Sequence, residues 1–161
     1  MKKDHEYYFE KAAEQARQAE CFRAKCGSVI ASKNGKIIGA GYNAPAGNDE
    51  GQRYCNGELD LTVRPKYDKT CCVHAEWNAI IDALKKSGSQ IDGGTLYFMR
   101  VDDDGGWTDA GEPYCTVCSR LAEQSGLDNF ALWVDGQPKI YDVVSYNIES
   151  YKVYLHSPIH Q

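Results

Sequence analysis

The sequence predicts a single α/β domain, on three observations. Stretches with the two-residue period of a strand alternate along the chain with stretches of helical period. No linker, internal repeat or low-complexity tract divides residues 1–161. A chain of 161 residues is long enough for one domain with a substantial core and too short for two comfortable ones.

The elements follow in order. Residues 4–23 read as a helix, with Phe9, Ala12, Ala13, Ala16 and Ala19 on one face and Glu10, Lys11, Glu14, Gln15 and Gln18 on the other. Gly27 opens a short apolar run from Ser28 to Ala31, and Asn34-Gly35 favours a tight hairpin into a return strand over Ile37–Tyr42. From Asn43 to Val73 there is little regular period, and a loop of this length in a compact domain is functional or clipped by a metal. Helical pattern resumes at His74, with Ala75, Ala79, Ile80, Ala83 and Leu84 as the inner face and Gly88 as the stop. Thr95–Met99 reads as a strand and 100–112 as an acidic, glycine-bearing loop. Cys115–Gln124 is a helix with Val117, Leu121 and Ala122 inward and Gly126 as its stop. Phe130–Val134 is a strand, and Asp135-Gly136 turns it into an antiparallel return over Lys139–Val143. Residues 144–161 are aromatic but aperiodic, and no element is assigned to them.

Composition narrows the function. Eighteen Lys and Arg against 23 Asp and Glu leave a formal charge of −5. That balance argues against a domain that grips nucleic acid through its phosphates. No apolar run approaches the roughly 20 residues of a membrane helix, and MKKDHEYYFEKAAEQ lacks the apolar core of a secretory signal. The expectation is a soluble, cytoplasmic protein with a small-molecule partner and no membrane. In a reducing compartment seven cysteines, at 21, 26, 55, 71, 72, 115 and 118, point to metal binding or catalysis ahead of disulfides.

Two segments stand out: Cys72-Val73-His74-Ala75-Glu76-Trp77-Asn78 and Pro113-Tyr114-Cys115-Thr116-Val117-Cys118. Each falls at the start of a helix. His74, Cys115 and Cys118 offer one imidazole and two thiolates, a set that zinc prefers, and three protein ligands leave a fourth position open to water. The positive ends of the two helices favour thiolate. Glu76, two residues past His74, is placed to carry protons beside that water rather than to bind the metal. Taken singly, His74 also fits a hydrogen-bonded core histidine, and the cysteine pair a structural zinc knuckle.

A His-x-Glu followed by a Cys-x-x-Cys is the signature of zinc-dependent nucleobase deaminases. On these residues, together with Gly27-Ser28-Val29-Ile30 and Gly41-Tyr42-Asn43-Ala44-Pro45-Ala46-Gly47, the chain resembles the cytidine/deoxycytidylate deaminase superfamily, most of all its deoxycytidylate (dCMP) deaminases. The resemblance spans roughly residues 5–135. It implies a three-layer α/β/α fold on a mixed, roughly five-stranded sheet, one catalytic zinc, hydrolysis of dCMP to dUMP with Glu76 as proton shuttle, and a homo-oligomer. Other members of the superfamily deaminate free cytidine, purine bases or tRNA adenosine. A zinc-stabilised binding module without catalysis is the alternative outside enzymes.

The resemblance also implies that Asn43 and Ala75 contact the substrate. It implies a second, structural zinc drawn from Cys21 or Cys26, Cys55, and Cys71 or Cys72, pinning the long loop to the first helix. Trp107 and Tyr114 flank the second metal segment and are candidates to stack on a base. Arg23, Lys25, Arg53, Arg64 and Arg120 are candidates to meet a phosphate, and the sequence does not select among them. Three departures mark this chain: Tyr114 separates the proline from the Cys-x-x-Cys, the 100–112 connection is long, and the final strand is antiparallel, as in the free-nucleoside cytidine deaminases.

Overall fold

The computed structural model describes residues 4–56 and 71–156. Candidate Arg64 and the middle of the long loop lie outside the described residues.

Helix α1 (His5–Ala16) begins where Asp4 accepts a hydrogen bond from the Tyr7 amide. It ends seven residues before the period suggests. The Gln18 and Ala19 amides bond three residues back instead of four, which tightens the last turn. Residues 20–24 then carry the chain back to strand β1 (Lys25–Ala31). A tight turn through Gly35, at φ 77°, leads into β2 (Ile37–Tyr42). The long loop opens with β3 (Ala44–Pro45), which pairs with β4 (Cys72–Val73) just ahead of the second helix. Helix α2 (Ala75–Ser87) starts from His74 and stops at Gly88, at φ 50°. β5 (Thr95–Val101) runs two residues past the expected strand and folds back on β6 (Trp107–Thr108), so the 100–112 segment contains a hairpin where an irregular loop was expected. Helix α3 (Thr116–Gln124) leads to β7 (Asn129–Val134). The Asp135-Gly136 turn, with both residues at positive φ, reverses the chain into β8 (Gln137–Asp142), antiparallel to β7 as expected.

The tail departs from the sequence reading: Val143–His156 forms a fourth helix, α4. Its signal is Asp142, whose carboxylate accepts the Ser145 amide as an N-cap. Tyr146 and Ser150 face inward from it, so the apolar spacing is real but masked by aromatics on the outer side.

The main sheet runs β2-β1-β5-β7-β8, with β6 added on β5. Only β5 and β7 are parallel. Side chains alternate between two cores. One holds Ile30, Leu96, Phe98 and Phe130 under α2, α3 and α4. The other holds Val29, Tyr97, Met99 and Ala131 under α1. This is the expected three-layer architecture. Close approach depends on glycine: a Cβ on Gly27 would sit 2.1 Å from the Ala12 carbonyl of α1, and one on Gly41 would sit 2.5 Å from Asn78 Cβ of α2. Helix α2 also covers the open edge of β2, where Asp82 accepts the Ala40 amide and Asn78 donates to the Tyr42 carbonyl. That docking turns Glu76 inward and leaves Leu84 46% exposed, so Leu84 does not belong to the inner face. On α3 the buried residues are Cys118, Ser119 and Ala122; Val117 and Leu121 are only half-buried.

Candidate active site

Both metal segments lie at helix starts on the α2/α3 side of the sheet. His74 is the N-cap of α2 and Cys115 the N-cap of α3, with Cys118 one turn in. His74 Nδ1 lies 3.1 Å from Cys118 Sγ and 3.6 Å from Cys115 Sγ. Zinc bonds to nitrogen and sulfur arranged tetrahedrally give an edge of about 3.5 Å, so the cluster fits the ion. Among the described residues it is the one group of three or more His, Cys, Asp or Glu whose ligand atoms all lie within 4.8 Å of one another. The Cys118 amide points at Cys115 Sγ, 3.3 Å away, as the open end of a helix does toward an anion. A hydrogen bond from Cys118, helped by His74 and opposed by burial, brings the Cys115 thiol down to about 4. Burial drives Cys118 the other way. The pair thus holds one thiol inclined to ionise beside one that burial keeps protonated, and metal binding favours thiolate at both.

Glu76 sits in the first turn of α2, 8% exposed. Burial raises its carboxyl above the ordinary 4.5, and the nearby His74 opposes that rise. A raised carboxyl is the kind that general acid–base chemistry employs.

The remaining candidates divide. Ala75 is fully buried at the first turn of α2, next to His74. Tyr114 is 55% exposed directly before Cys115, where a flat ligand could lie against it. Asn43 is buried, and its amide is already engaged: Oδ1 accepts the Cys26 amide at 2.8 Å and Nδ2 donates to the Ala24 carbonyl at 2.8 Å. Trp107 must be corrected. It lies in the α1 core, on the far side of the sheet from His74, with its indole N–H on Glu10 and its ring edge-on to Trp133. The sheet separates it from any base held at Glu76.

In the long loop, the Cys71 amide meets Cys55 Sγ at 3.3 Å and the Cys71 and Cys72 sulfurs lie 3.9 Å apart. Cys21 bears electrostatically on both Cys55 and Cys72. Burial, reinforced by Cys21, lifts the Cys72 thiol to about 12.

Of the cations, Arg53 is tied to Glu50 and Cys72, and Arg120 lines a groove between α3 and α4. Arg23 and Lys25 line a cleft of about 300 Å³ at the open ends of β1 and β5, together with Arg100. Arg100 is missing from the sequence candidates. It lies opposite Cys26 in the β1–β5 register, so both side chains share the face that carries Glu76. Burial and the Glu76 charge push the Cys26 thiol up to about 11. Only the strand register reveals that Cys26 and Arg100 meet. Ser28, wholly buried on that same face, has a hydroxyl with no hydrogen-bond partner among the described residues, and the same holds for the Trp77 indole N–H. The Trp77 ring stacks on His74 at 5.6 Å.

Residues 2–133 match the family model of the cytidine and deoxycytidylate deaminase zinc-binding region. The chain is similar to the deoxycytidylate deaminase of Enterobacteria phage T2, with 29% identity covering 70% of each protein. Its fold is similar to that of a dCMP deaminase from cyanophage S-TIM5, solved in complex with dCMP and dUMP, at a TM-score of 0.55 and 24% identity over 78% of this chain and 76% of that one. It is also similar to a cytidine deaminase from Burkholderia pseudomallei, at a TM-score of 0.56 and 18% identity over 89% of this chain and 96% of that one.

Proposed function

The chain belongs to the cytidine and deoxycytidylate deaminase zinc-binding family, and from that premise we propose that it hydrolyses the exocyclic amine of a cytosine nucleotide, converting dCMP to dUMP and ammonia. The observation that carries this reading is the convergence of His74, Cys115 and Cys118 on one point beside the buried Glu76. His74, Cys115 and Cys118 would hold the zinc ion, which would supply the Lewis acidity that lets a water ionise near neutral pH. Glu76 does the proton work. It takes a proton from the attacking water and hands it to ring nitrogen 3 as the bond from oxygen to carbon 4 forms. It then takes the remaining proton of that hydroxyl and gives it to the amine as the bond from carbon 4 to nitrogen breaks, the oxygen becomes the carbonyl and ammonia leaves. Backbone amides at the starts of α2 and α3, those of Ala75 and Cys115, face the developing charge. Tyr114 stacks on the base.

For the phosphate we assign the cleft of Arg23, Lys25 and Arg100, where three cations outnumber Asp102 and Asp103, the latter 3.9 Å from Lys25, on the end of the sheet nearest Cys26 and Glu76. Asn43 ties down Ala24 and Cys26 on either side of Lys25, and offers its second N–H to the sugar. The substrate then comes from the cytoplasmic nucleotide pool, and the enzyme works as a homo-oligomer. The direction of β8 favours one other reading, a free-nucleoside cytidine deaminase. A panel of dCMP, CMP, deoxycytidine, cytidine and free cytosine separates the two. Turnover highest on a monophosphate and weakened through KM by Arg100→Gln supports the nucleotide reading. Equal turnover on deoxycytidine and dCMP overturns it.

The same reading assigns a second, structural zinc to Cys21, Cys55, Cys71 and Cys72, supported by the 3.9 Å approach of the Cys71 and Cys72 sulfurs and the Cys71 amide on Cys55 Sγ at 3.3 Å. Metal analysis should then return close to two zinc ions per chain, falling toward one in Cys55→Ser with a lower melting temperature. One zinc with free thiols at Cys55 and Cys71 in the folded protein removes the second site.

A further inference from the structure

The charges of the cleft at the ends of β1 and β5 are sorted by distance from Glu76, and strand register fixes their order. Arg100 lies opposite Cys26, whose thiol feels the Glu76 charge, and Lys25 lies opposite Val101, one residue further out. β5 ends at Val101. A strand advances about 3.3 Å per residue, so Asp102 stands on the order of 7 Å beyond Arg100, and Asp103 further still. The antiparallel order sets Arg23, two residues before Lys25, at this same outer level, and all five residues line the cleft. The inner level thus carries two positive charges, and the outer level one positive charge against two negative.

The outer carboxylates are held in place. Asp102 Oδ1 accepts the Asp104 and Gly106 amides at 3.0 and 2.8 Å, and the Asp102 amide donates to the Gly106 carbonyl at 2.9 Å. These bonds close the tip of the β5–β6 hairpin on itself. Arg17 of α1 secures the tip by donating to the Gly105 carbonyl at 3.0 Å, and Trp107 ties the next strand to Glu10. Asp103 reaches toward Lys25 at 3.9 Å, with its side chain fully exposed at the rim. The rim is therefore built by the 100–112 segment, whose length departs from the family pattern. Space agrees with charge. A cleft of about 300 Å³ is at the small end of ligand pockets, so phosphates beyond the first must cross the rim.

We propose that Asp102 and Asp103 count phosphates: Arg100 and Lys25 take a nucleoside monophosphate, and the two carboxylates repel the further phosphates of a di- or triphosphate. The proposal rests on the nucleotide reading and deepens it. A phosphate monoester carries a charge of about −1.5 to −2 at pH 7, which the two inner cations match. Each added phosphate brings more negative charge to a level that is already net negative. Selectivity of this kind comes from repulsion built against the wrong ligand, in addition to attraction for the right one.

The test is calorimetric binding of deoxyuridine, dUMP, dUDP and dUTP to the zinc-loaded wild-type protein, a product series that undergoes no turnover. The expected result is that dUMP binds tightest and dUDP at least about tenfold more weakly. Joint replacement Asp102→Asn and Asp103→Asn should raise the affinity for dUDP relative to dUMP by about tenfold, since an amide at 102 can still accept the hairpin amides. Asp103→Lys leaves the Asp102 turn untouched, should move the ratio the same way, and decides the matter if the double variant folds poorly. Wild-type protein that binds dUDP as tightly as dUMP overturns the proposal, and so does a ratio that Asp103→Lys leaves unmoved. In either case the nucleotide reading stands as long as dUMP outbinds deoxyuridine. Deoxyuridine bound as tightly as dUMP removes the phosphate from the cleft, and the nucleotide reading and the rim fall together.

Discussion

Two glutamates, one on each face of the sheet, sit close to a tryptophan and meet opposite fates. On the α1 face, Glu10 accepts from Arg17 at 2.6 Å and from the Trp107 indole at 3.0 Å. The Arg17 hydrogen bond, with help from Trp107, holds its carboxyl below the ordinary 4.5. On the α2 face, Glu76 is buried among sulfurs and one imidazole, and burial raises its carboxyl. There the neighbouring Trp77 leaves its indole N–H unpartnered among the described residues, and so does the Ser28 hydroxyl. An exposed carboxylate held by a guanidinium stays ionised and inert, whereas burial raises the carboxyl of Glu76. Each orphaned neighbour on the α2 face costs about 1–3 kcal/mol. Burial and charge partner, rather than residue type, separate the two glutamates.

The largest expected effect tests the reactive side. Glu76→Gln keeps the shape and the metal but cannot shuttle a proton, so turnover on the best substrate should fall by about 10⁴-fold, the top of the range for general acid–base catalysis, with zinc content and melting nearly unchanged. Cys115→Ala should lose the metal as well as the activity. If Glu76→Gln retains both zinc and most of its turnover, the contrast between the two carboxylates is not a catalytic one.

Next in size is a matched pair of glycine changes. Gly27→Ala pushes a methyl into the Ala12 carbonyl on the α1 side, and Gly41→Ala pushes one into Asn78 and Ala79 on the α2 side. Each should cost at least about 1–3 kcal/mol by chemical denaturation, as overpacking does. They should differ in activity per folded molecule. Gly41→Ala displaces the helix that carries His74 and Glu76, whereas Gly27→Ala should leave kcat near wild type. Equal losses of kcat would mean that the α1 layer also sets the site.

Much of this division was legible in the sequence. The grouping of His74, Cys115 and Cys118 was, because residue type, spacing and place at a helix start all point to it. The β7–β8 hairpin was, because Asp135-Gly136 dictates a turn whatever surrounds it. What escaped depends on partners distant in sequence. Trp107 and Tyr114 flank the same motif equally well, and only the β5–β6 pairing sends Trp107 to the far face. Arg100 and Cys26 lie 74 positions apart and meet only through strand register. Helix α4 was missed because apolar side chains on its outer face blur the single stripe by which an amphipathic helix is recognised. Leu84 misled for a related reason: two glycines on β2 let α2 approach so closely that the helix docks on its small residues.

The misread tryptophan gives the third prediction. Trp107→Phe keeps the aromatic contact with Trp133 and loses one hydrogen bond to Glu10. It should cost about 1 kcal/mol in stability and leave KM unchanged. Tyr114→Ala should do the reverse, raising KM at little cost to folding, since its ring is mostly exposed. A rise in KM for Trp107→Phe would place the substrate across both faces and undo the separation.

The smallest effect lies in the pH dependence of the inert carboxylate. Because the folded-state pKa of Glu10 is lowered, ionisation stabilises the fold above the ordinary 4.5 and that contribution disappears as pH falls through the lowered value. Glu10 and Arg17 are both well over one-third exposed, 44% and 38% at the side chain, so solvent screening holds the pair to at most about 1 kcal/mol. Glu10→Gln should therefore melt slightly below wild type at pH 7, and the two curves should converge as pH falls through the lowered value, where both proteins carry a neutral group at this position. High salt should shrink the neutral-pH difference, because exposed pairs are screened. A gap that persists unchanged into acid would assign the loss to the amide's poorer hydrogen bond with Trp107 rather than to charge, and the contrast between the two glutamates would then rest on hydrogen bonding alone.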